Sequence, residues 1–439
     1  MDNKRKNLLK HKISKYIDQN KNWLIDEIIE ITSANTINTP PVGNENNGQE
    51  IIMGILKDMG LEIDRFSPDS VKGLKRSKAY LEGRDYTNRD NIVGIIGKGK
   101  KKTLIFNGHI DTVPSDIFNW TKTEPFSPRV IDGKIYGLGV CDMKGGIISS
   151  IYALKAIIDS GISIKGKVII ESVVDEEFGG ANGSLACVER GYRGDFAIIP
   201  EPTSMRVCVS NVGSKVFEVT IQGDTGLKYF GDNIEGINPI LLTSKLILAL
   251  KDYEDYLNSK KGDYKIYMDI SKPMNFLFSD IIAGEIGPDK ILTTPLECNL
   301  RIYLMNYPEV GEKQFTDMLF DFLKRYPEIH KSIESGGIVF SNSNRFIEGG
   351  DFDLGIDKNK EFIYKIISYG KELTCRDLKL SAALGGTDFF TFSNYGNTPV
   401  VVFGPGGGNL HAADEYVELR DLVDLTKIYA NIIYDYCCQ

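Results

Sequence analysis

The stretch that most constrains this chain is Asn107-Gly108-His109-Ile110-Asp111-Thr112-Val113-Pro114, entered from the apolar run Thr103-Leu104-Ile105-Phe106. Such a run reads as a buried strand. Side chains two apart on a strand share a face, so His109 and Asp111 point the same way at a strand end. In open α/β sheets, sites lie at that end. An imidazole beside a carboxylate is a metal ligand with an orienting neighbour, half of an acid–base pair, or a hydrogen-bonded structural pair. The rest of the chain decides among them.

Residues 91–96, 168–174 and 196–199 repeat the apolar pattern, and 147–160 keeps helical period through Ile148, Ile151, Leu154, Ile157 and Ile158. Helical spacing also covers 23–60, broken at Thr39-Pro40-Pro41-Val42-Gly43. Residues 67–90 are polar with few apolar anchors and read as a loop; 130–136 is a hairpin turned at Asp132-Gly133. Strands alternating with helices predict an α/β domain with a mixed, largely parallel sheet. From about Asn211 the rhythm changes: strand 216–222, helix 237–257, strands 276–282 and 296–304, helix 314–326, strand 337–341. That β-α-β-β-α-β order is the ferredoxin-like split unit. It predicts an α+β domain, residues 211–345, inserted into an α/β domain formed by residues 1–210 and 346–439. A helix at 361–375, a strand at 399–403 and a helix at 419–437 resume the first rhythm.

A chain of 439 residues has room for two domains. A net charge of −8 argues against nucleic acid or an anionic membrane as the main partner. No apolar run approaches the roughly 18–20 residues of a membrane helix. The first twenty residues are basic but lack the apolar core of a secretory signal. Leu8, Leu9, Ile13 and Ile17 instead predict a surface helix. Seven scattered cysteines without a C-x-x-C pair suit a reducing cytosol, so a cytoplasmic protein is expected. Cys141, weighed as a nucleophile, reads as a packed thiol. Of four histidines, His11 and His330 lie in polar helical stretches, which leaves His109 and His411 for chemistry. No G-x-S-x-G elbow is present, so a serine hydrolase of that type lacks its signature.

Several apolar strands end in acidic or imidazole groups: His109 and Asp111, Asp142, Glu176 and Glu177, Glu201, Asp388, and His411 with Asp414 and Glu415. Two imidazoles with several carboxylates fit two borderline divalent cations, each held by one His and one carboxylate, with one carboxylate shared. Such a pair, about 3.5–4 Å apart, would activate a water and polarise a carbonyl. Glu176, among such neighbours, would have a pKa tuned to accept a proton near neutrality. Asp388 is either a partner behind the ligands or the N-cap of the next helix.

Taken in order, Gly108 to Pro114, Gly137-Leu138-Gly139-Val140-Cys141-Asp142-Met143-Lys144-Gly145-Gly146, Asp175-Glu176-Glu177, Glu201-Pro202-Thr203, Gly385-Gly386-Thr387-Asp388, and Gly404-Pro405-Gly406 through His411 to Asp414-Glu415 resemble the M20 metallopeptidases. The resemblance spans nearly the whole chain and falls in the acetylornithine deacetylase and succinyl-diaminopimelate desuccinylase group. It implies His109 and Glu201 on one metal, Glu177 and His411 on the other, and Asp142 bridging. Glu176 would be the general base and Asp111 would hold His109 in its ligating tautomer. Zinc is the expected metal, with cobalt or manganese as alternatives. The resemblance also implies a cis peptide at Asp142–Met143 and a homodimer through the inserted domain, which would serve as a lid. Arg301 would clamp a substrate carboxylate, where the plainer reading is a surface arginine. Glu201, where some family peptidases carry Asp, resembles the N-acyl amino acid deacylases. The expected function is hydrolysis of an amide in a small N-acyl amino acid or related compound; a dipeptidase or carboxypeptidase of the same family is the alternative.

The chain departs from the family in the inserted domain. Relatives carry a His there, in a stretch like Gly-Lys-x-x-His, that stabilises the oxyanion from the partner subunit. Here the stretch is Gly223-Asp224-Thr225-Gly226-Leu227-Lys228-Tyr229, with Leu227 in that place. A later Asn-x-x-Pro reads Leu292-Thr293-Thr294-Pro295. Losing one oxyanion donor costs about 10²–10³ in rate. Three outcomes follow: Lys228 or Tyr229 donates instead, the substrate differs from the usual N-acyl amino acids, or the protein binds metal and ligand with little turnover. Since every metal and base position is filled, an active enzyme is expected, with Lys228 as a candidate substrate contact.

Overall fold

The computed structural model describes residues 3–99, 102–115, 119–180, 182–224, 236–342 and 344–439. The chain divides into two compact units, one of Met1–Ser210, Asp351–Ala383 and Thr387–Gln439, the other of Asn211–Gly350 and Leu384–Gly386.

The first unit is built on a mixed sheet. Val400–Val402, Phe196–Ile199, Thr103–His109 and Lys167–Val173 run parallel in that spatial order. Asn91–Ile96 and then Glu62–Phe66 extend it antiparallel. Parallel strands need cover on both faces, and Leu104, Ile105, Val168, Ile198 and Val401 are buried accordingly. Helix Gly145–Asp159 packs against helix Leu419–Cys437. The former is buried on nearly every side; the latter turns Leu422, Leu425, Ile428, Tyr429 and Ile433 inward. Each fully buried Ile or Leu contributes about 1.5–3 kcal/mol, so this packing fixes where the strands end. The close approach of helix and strand end depends on Gly146. A Cβ there would lie 2.1 Å from the carbonyl oxygen of Pro200, beside Glu201.

The polar 67–90 segment is better anchored than its composition suggests. It makes short turns at Pro68–Ser70 and Leu74–Arg76, and Val71, Leu74, Ala79, Tyr86 and Arg89 are all buried. The 130–136 hairpin forms from Arg129–Ile131 and Lys134–Tyr136, with Asp132 and Gly133 both at positive φ, as a two-residue turn requires.

The second unit holds an antiparallel sheet in the order Leu277–Ala283, Glu297–Asn306, Gly213–Gln222, Ile338–Asn342. With helices Pro239–Ser259 and Glu312–Leu323 this is the ferredoxin-like arrangement. A further helix, Pro327–Glu334, opens with Pro327 at a first-turn position. Along Gly213–Gln222, Phe217, Val219 and Ile221 are buried while Glu218 and Gln222 are exposed, the alternation of a half-covered sheet. Asn238 caps Pro239–Ser259 by accepting the N–H groups of Ile240 and Leu241. Leu227, Lys228 and Tyr229 lie outside the described residues.

Candidate metal and catalytic site

Because the central strands are parallel, their C-terminal ends come together in the first unit. His109 closes its strand, Glu176 and Glu177 follow Lys167–Val173, Glu201 follows Phe196–Ile199, and His411 follows Val400–Val402. His109 Nε2 lies 3.2 Å from Asp142 Oδ1 and 3.4 Å from Glu201 Oε1. His411 Nε2 lies 2.8 Å from Glu177 Oε2 and 3.4 Å from Asp142 Oδ2. Asp142 thus turns one oxygen to each side. The donor atoms of His109, Asp142 and Glu201 all lie within 4.8 Å of one another, as do those of Asp142, Glu177 and His411. Glu176 belongs to neither triad, yet its Oε2 stands 3.9 Å from His109 Nε2.

Backbone donors set these side chains. Asp142 sits in the tight turn Val140–Lys144 ahead of helix Gly145–Asp159, and the peptide Asp142–Met143 is cis. The buried carboxylate of Glu415 accepts the N–H groups of Gly139, Cys141 and Asp142 at 2.7, 2.8 and 3.0 Å, and so fixes that turn. With Nε2 of His109 facing the carboxylates, Nδ1 carries the hydrogen. It lies 3.1 Å from the main-chain oxygen of Asp111 and 3.5 Å from Oδ1. The Asp111 carboxylate does more than hold the imidazole. It accepts the N–H groups of Glu176 and Glu177, each at 3.1 Å, and the amide of Asn38 at 2.9 Å.

The electrostatics test whether these residues suit cations. Burial opposes charging His109 and His411, but the carboxylates around them prevail. Glu201, Asp111 and Asp142 hold His109 well above its usual pKa, and Glu177 and Asp142 raise His411 to about 11. Burial, reinforced by Asp142, raises Glu201 to about 8. Burial also raises Glu176 strongly, with Asp388, Glu201 and Glu177 adding to it and His109 opposing. Asp111 is held down to about 2: burial works against its charge, but His109, Asn38 and the Glu176 N–H outweigh it. So much converging negative charge, with one imidazole and two carboxylates in each triad, fits a divalent cation in each.

The remaining candidates resolve differently. Asp388 is buried and accepts the Ser184 hydroxyl at 2.5 Å, and its charge bears on Glu176. Cys141 is buried, and burial beside Glu415 and Asp142 pushes its thiol well up, so it is a packed thiol. Asp414 accepts the N–H groups of Thr121 and Lys122, both at 2.8 Å. Arg301 is exposed on its sheet, in register with Glu218 on one side and Asp280 on the other. Asn38, Tyr86 and Arg89, all buried behind the ligands, carry no pattern that marks them in the sequence.

Comparison with known proteins agrees with this geometry. The profile of peptidase family M20/M25/M40 matches residues 105–435. An N-formyl-4-amino-5-aminomethyl-2-methylpyrimidine deformylase from Halalkalibacterium halodurans is 26% identical over 96% of each chain. A succinyl-diaminopimelate desuccinylase from Orientia tsutsugamushi is 25% identical over 94% of this chain and 96% of its own. Among solved structures, the dipeptidase Dug1p of Saccharomyces cerevisiae superposes with a TM-score of 0.73 at 15% identity, covering 97% of this chain and 98% of that one. No helix among the described residues is long and apolar enough to cross a membrane.

Proposed function

The chain belongs to peptidase family M20/M25/M40, and we propose that it is a metal-dependent amidohydrolase that removes the acyl group from a small N-acyl amine or amino acid. The observation that carries this reading is the pair of His–carboxylate triads sharing Asp142, with Glu176 beside them and in neither. His109, Glu201 and Asp142 would hold one ion, and His411, Glu177 and Asp142 the other. Zinc suits mixed imidazole and carboxylate donors. When bound, the ions would supply Lewis acidity toward the amide carbonyl and toward water. Glu176, kept basic by burial among carboxylates, takes the proton of the attacking water and returns it to the departing nitrogen. Asp111 keeps that base and the neighbouring ligand in place through their N–H groups.

Relatives matched nearly end to end are a deformylase and a desuccinylase, which favours deacylation over dipeptide cleavage. Lys228 is the proposed donor to the oxyanion in place of the absent lid histidine. Arg301, exposed and in strand register with Glu218 and Asp280, is the proposed contact for a substrate carboxylate. The inserted unit is proposed to pair with a second copy through the edge strand Leu277–Ala283, where Leu277, Ile281 and Ile282 are exposed. The chain's seven free cysteines suit the cytoplasm.

The decisive experiment is metal analysis followed by a panel of N-formyl, N-acetyl and N-succinyl amides against dipeptides, with Glu176→Gln as the inactive control. Turnover confined to the acyl amides supports the reading. Metal-loaded protein that cleaves only dipeptides, or nothing, overturns it. An unchanged kcat in Lys228→Ala removes that residue as the oxyanion donor.

A further inference from the structure

The loop after Lys167–Val173, which carries Glu176 and Glu177, is bound along its length by a second segment, residues 81–91. At one end the Asn182 side chain accepts the Leu81 N–H at 2.9 Å and donates to the Leu81 carbonyl at 2.8 Å. At the other, Asn91 accepts the Val174 N–H at 3.2 Å and donates to the Gly183 carbonyl at 2.7 Å. Between these ties, Arg84 donates to the Phe178 carbonyl at 2.7 Å. Three side chains then converge on Asp175: the Tyr86 hydroxyl at 2.6 Å, Arg89 Nη2 at 3.4 Å and Arg84 Nε at 3.5 Å. Arg89 is itself gripped by both oxygens of Glu45, at 2.9 and 2.6 Å.

Asp175 is where this contact meets the catalytic machinery. It precedes Glu176 directly, is fully buried, and has φ +65°, a conformation uncommon for a residue with a side chain. Asn38 Nδ2 donates both to Asp175 Oδ1 and to Asp111 Oδ2, each at 2.9 Å. Asp111 in turn holds the N–H groups of Glu176 and Glu177. A continuous hydrogen-bonded line therefore runs from Tyr86 through Asp175, Asn38 and Asp111 to the base and a ligand. Burying so many charges is costly unless each is paired, and a segment needed only to cover a loop could do so with apolar contacts.

We propose that residues 81–91 are a splint that positions Glu176 and Glu177, and that Tyr86 is a positioning residue acting through Asp175. This rests on the amidohydrolase reading for its activity assay. Tyr86→Phe removes one hydroxyl and keeps the buried ring. Its kcat should fall about 10-fold with KM within twofold of wild type, the scale seen when groups behind metal ligands are removed. Zinc affinity by calorimetry should fall several-fold, with near-ultraviolet circular dichroism unchanged. In an Asp175→Asn background the same change should cost less than twofold, because its route is already broken. The splint is overturned if Tyr86→Phe keeps both kcat and zinc affinity within twofold of wild type, or if the two losses multiply in the double variant. Wild-type protein inactive on every amide would count against the amidohydrolase reading instead, and the zinc calorimetry would still decide the splint.

Discussion

In the large mixed sheet the central strands are covered on both faces, and several polar groups at their ends are covered too: His109 is 1% exposed, Asp111 and Asp175 0%, while His411 is exposed. In the sheet of the inserted unit Phe217–Gln222 alternates between buried and outward-facing residues, and the edge strand Leu277–Ala283 has no fully buried residue at all. The first sheet spends its burial on holding charged groups where they would not otherwise stay. The second buries only what a half-covered sheet needs and leaves apolar side chains on its rim. A low-dielectric setting strengthens every interaction among the buried charges, so the chemistry belongs with the first. The exposed rim offers backbone and apolar side chains to another chain.

The contrast should break most visibly at the base. Glu176→Gln should lower kcat about 10³-fold, within the range general bases supply, while metal content stays at the wild-type level. Retention of more than a tenth of the activity would remove Glu176 from that role. Next in size, His411→Ala should halve the metal content measured by elemental analysis, because it dismantles one triad and leaves His109, Asp142 and Glu201 intact. Chelation should then lower the melting temperature by several degrees, since ions at 100 times their Kd contribute about 2.7 kcal/mol. Hydrogen exchange should place that loss in residues 103–111 and 174–177 and spare 213–222; equal loss in both would erase the contrast between the units.

A smaller effect concerns Glu171, buried within its strand and hydrogen-bonded by Asn107 at 2.9 Å. Burial, with Asp388 adding to it, raises its pKa from 4.5 to about 8. Between those values the folded chain holds a proton the unfolded chain has released, so this group's contribution to stability is lost as pH rises through the window. Glu171→Gln should flatten the fall in melting temperature from pH 5 to pH 8; an unchanged slope would show that the group does not titrate there. Smallest of all, Ile282→Glu on the exposed edge should turn a dimer into monomers by light scattering while shifting the monomer's melting temperature by no more than a degree or two. A dimer that survives it would move the interface elsewhere.

Much of this molecule was legible in one dimension. The helix predicted at 419–437 forms at Leu419–Cys437, and the order of the inserted unit follows from alternation and period alone. The five positions that the family resemblance put on metal do converge, because each stands at the end of an apolar strand or at a Gly-rich turn that the sequence advertises. Short elements escaped notice. Glu62–Phe66, Val207–Asn211 and Leu380–Ala383 are four or five residues long, and Gly183–Arg190 spans barely two turns, too little for periodicity to register. The 67–90 segment reads as a loop from its sparse apolar residues, and what its composition does not announce is the burial of Tyr86 and Arg89 beside Val71, Leu74 and Ala79, since arginine and tyrosine by type point to solvent.

Hydrophobic period and strand-end chemistry are local properties, so the chain's change of rhythm and its clustered His, Asp and Glu positions are legible in the sequence alone, whereas the ligand and base roles given to them rest on the family resemblance. Only the tertiary structure decided what stands behind them. Asn38, Glu45, Arg89, Asp111, Asp175 and Glu415 acquire their roles from partners between 44 and 276 positions away, and no local pattern can specify a buried charge's partner before the chain has closed around both.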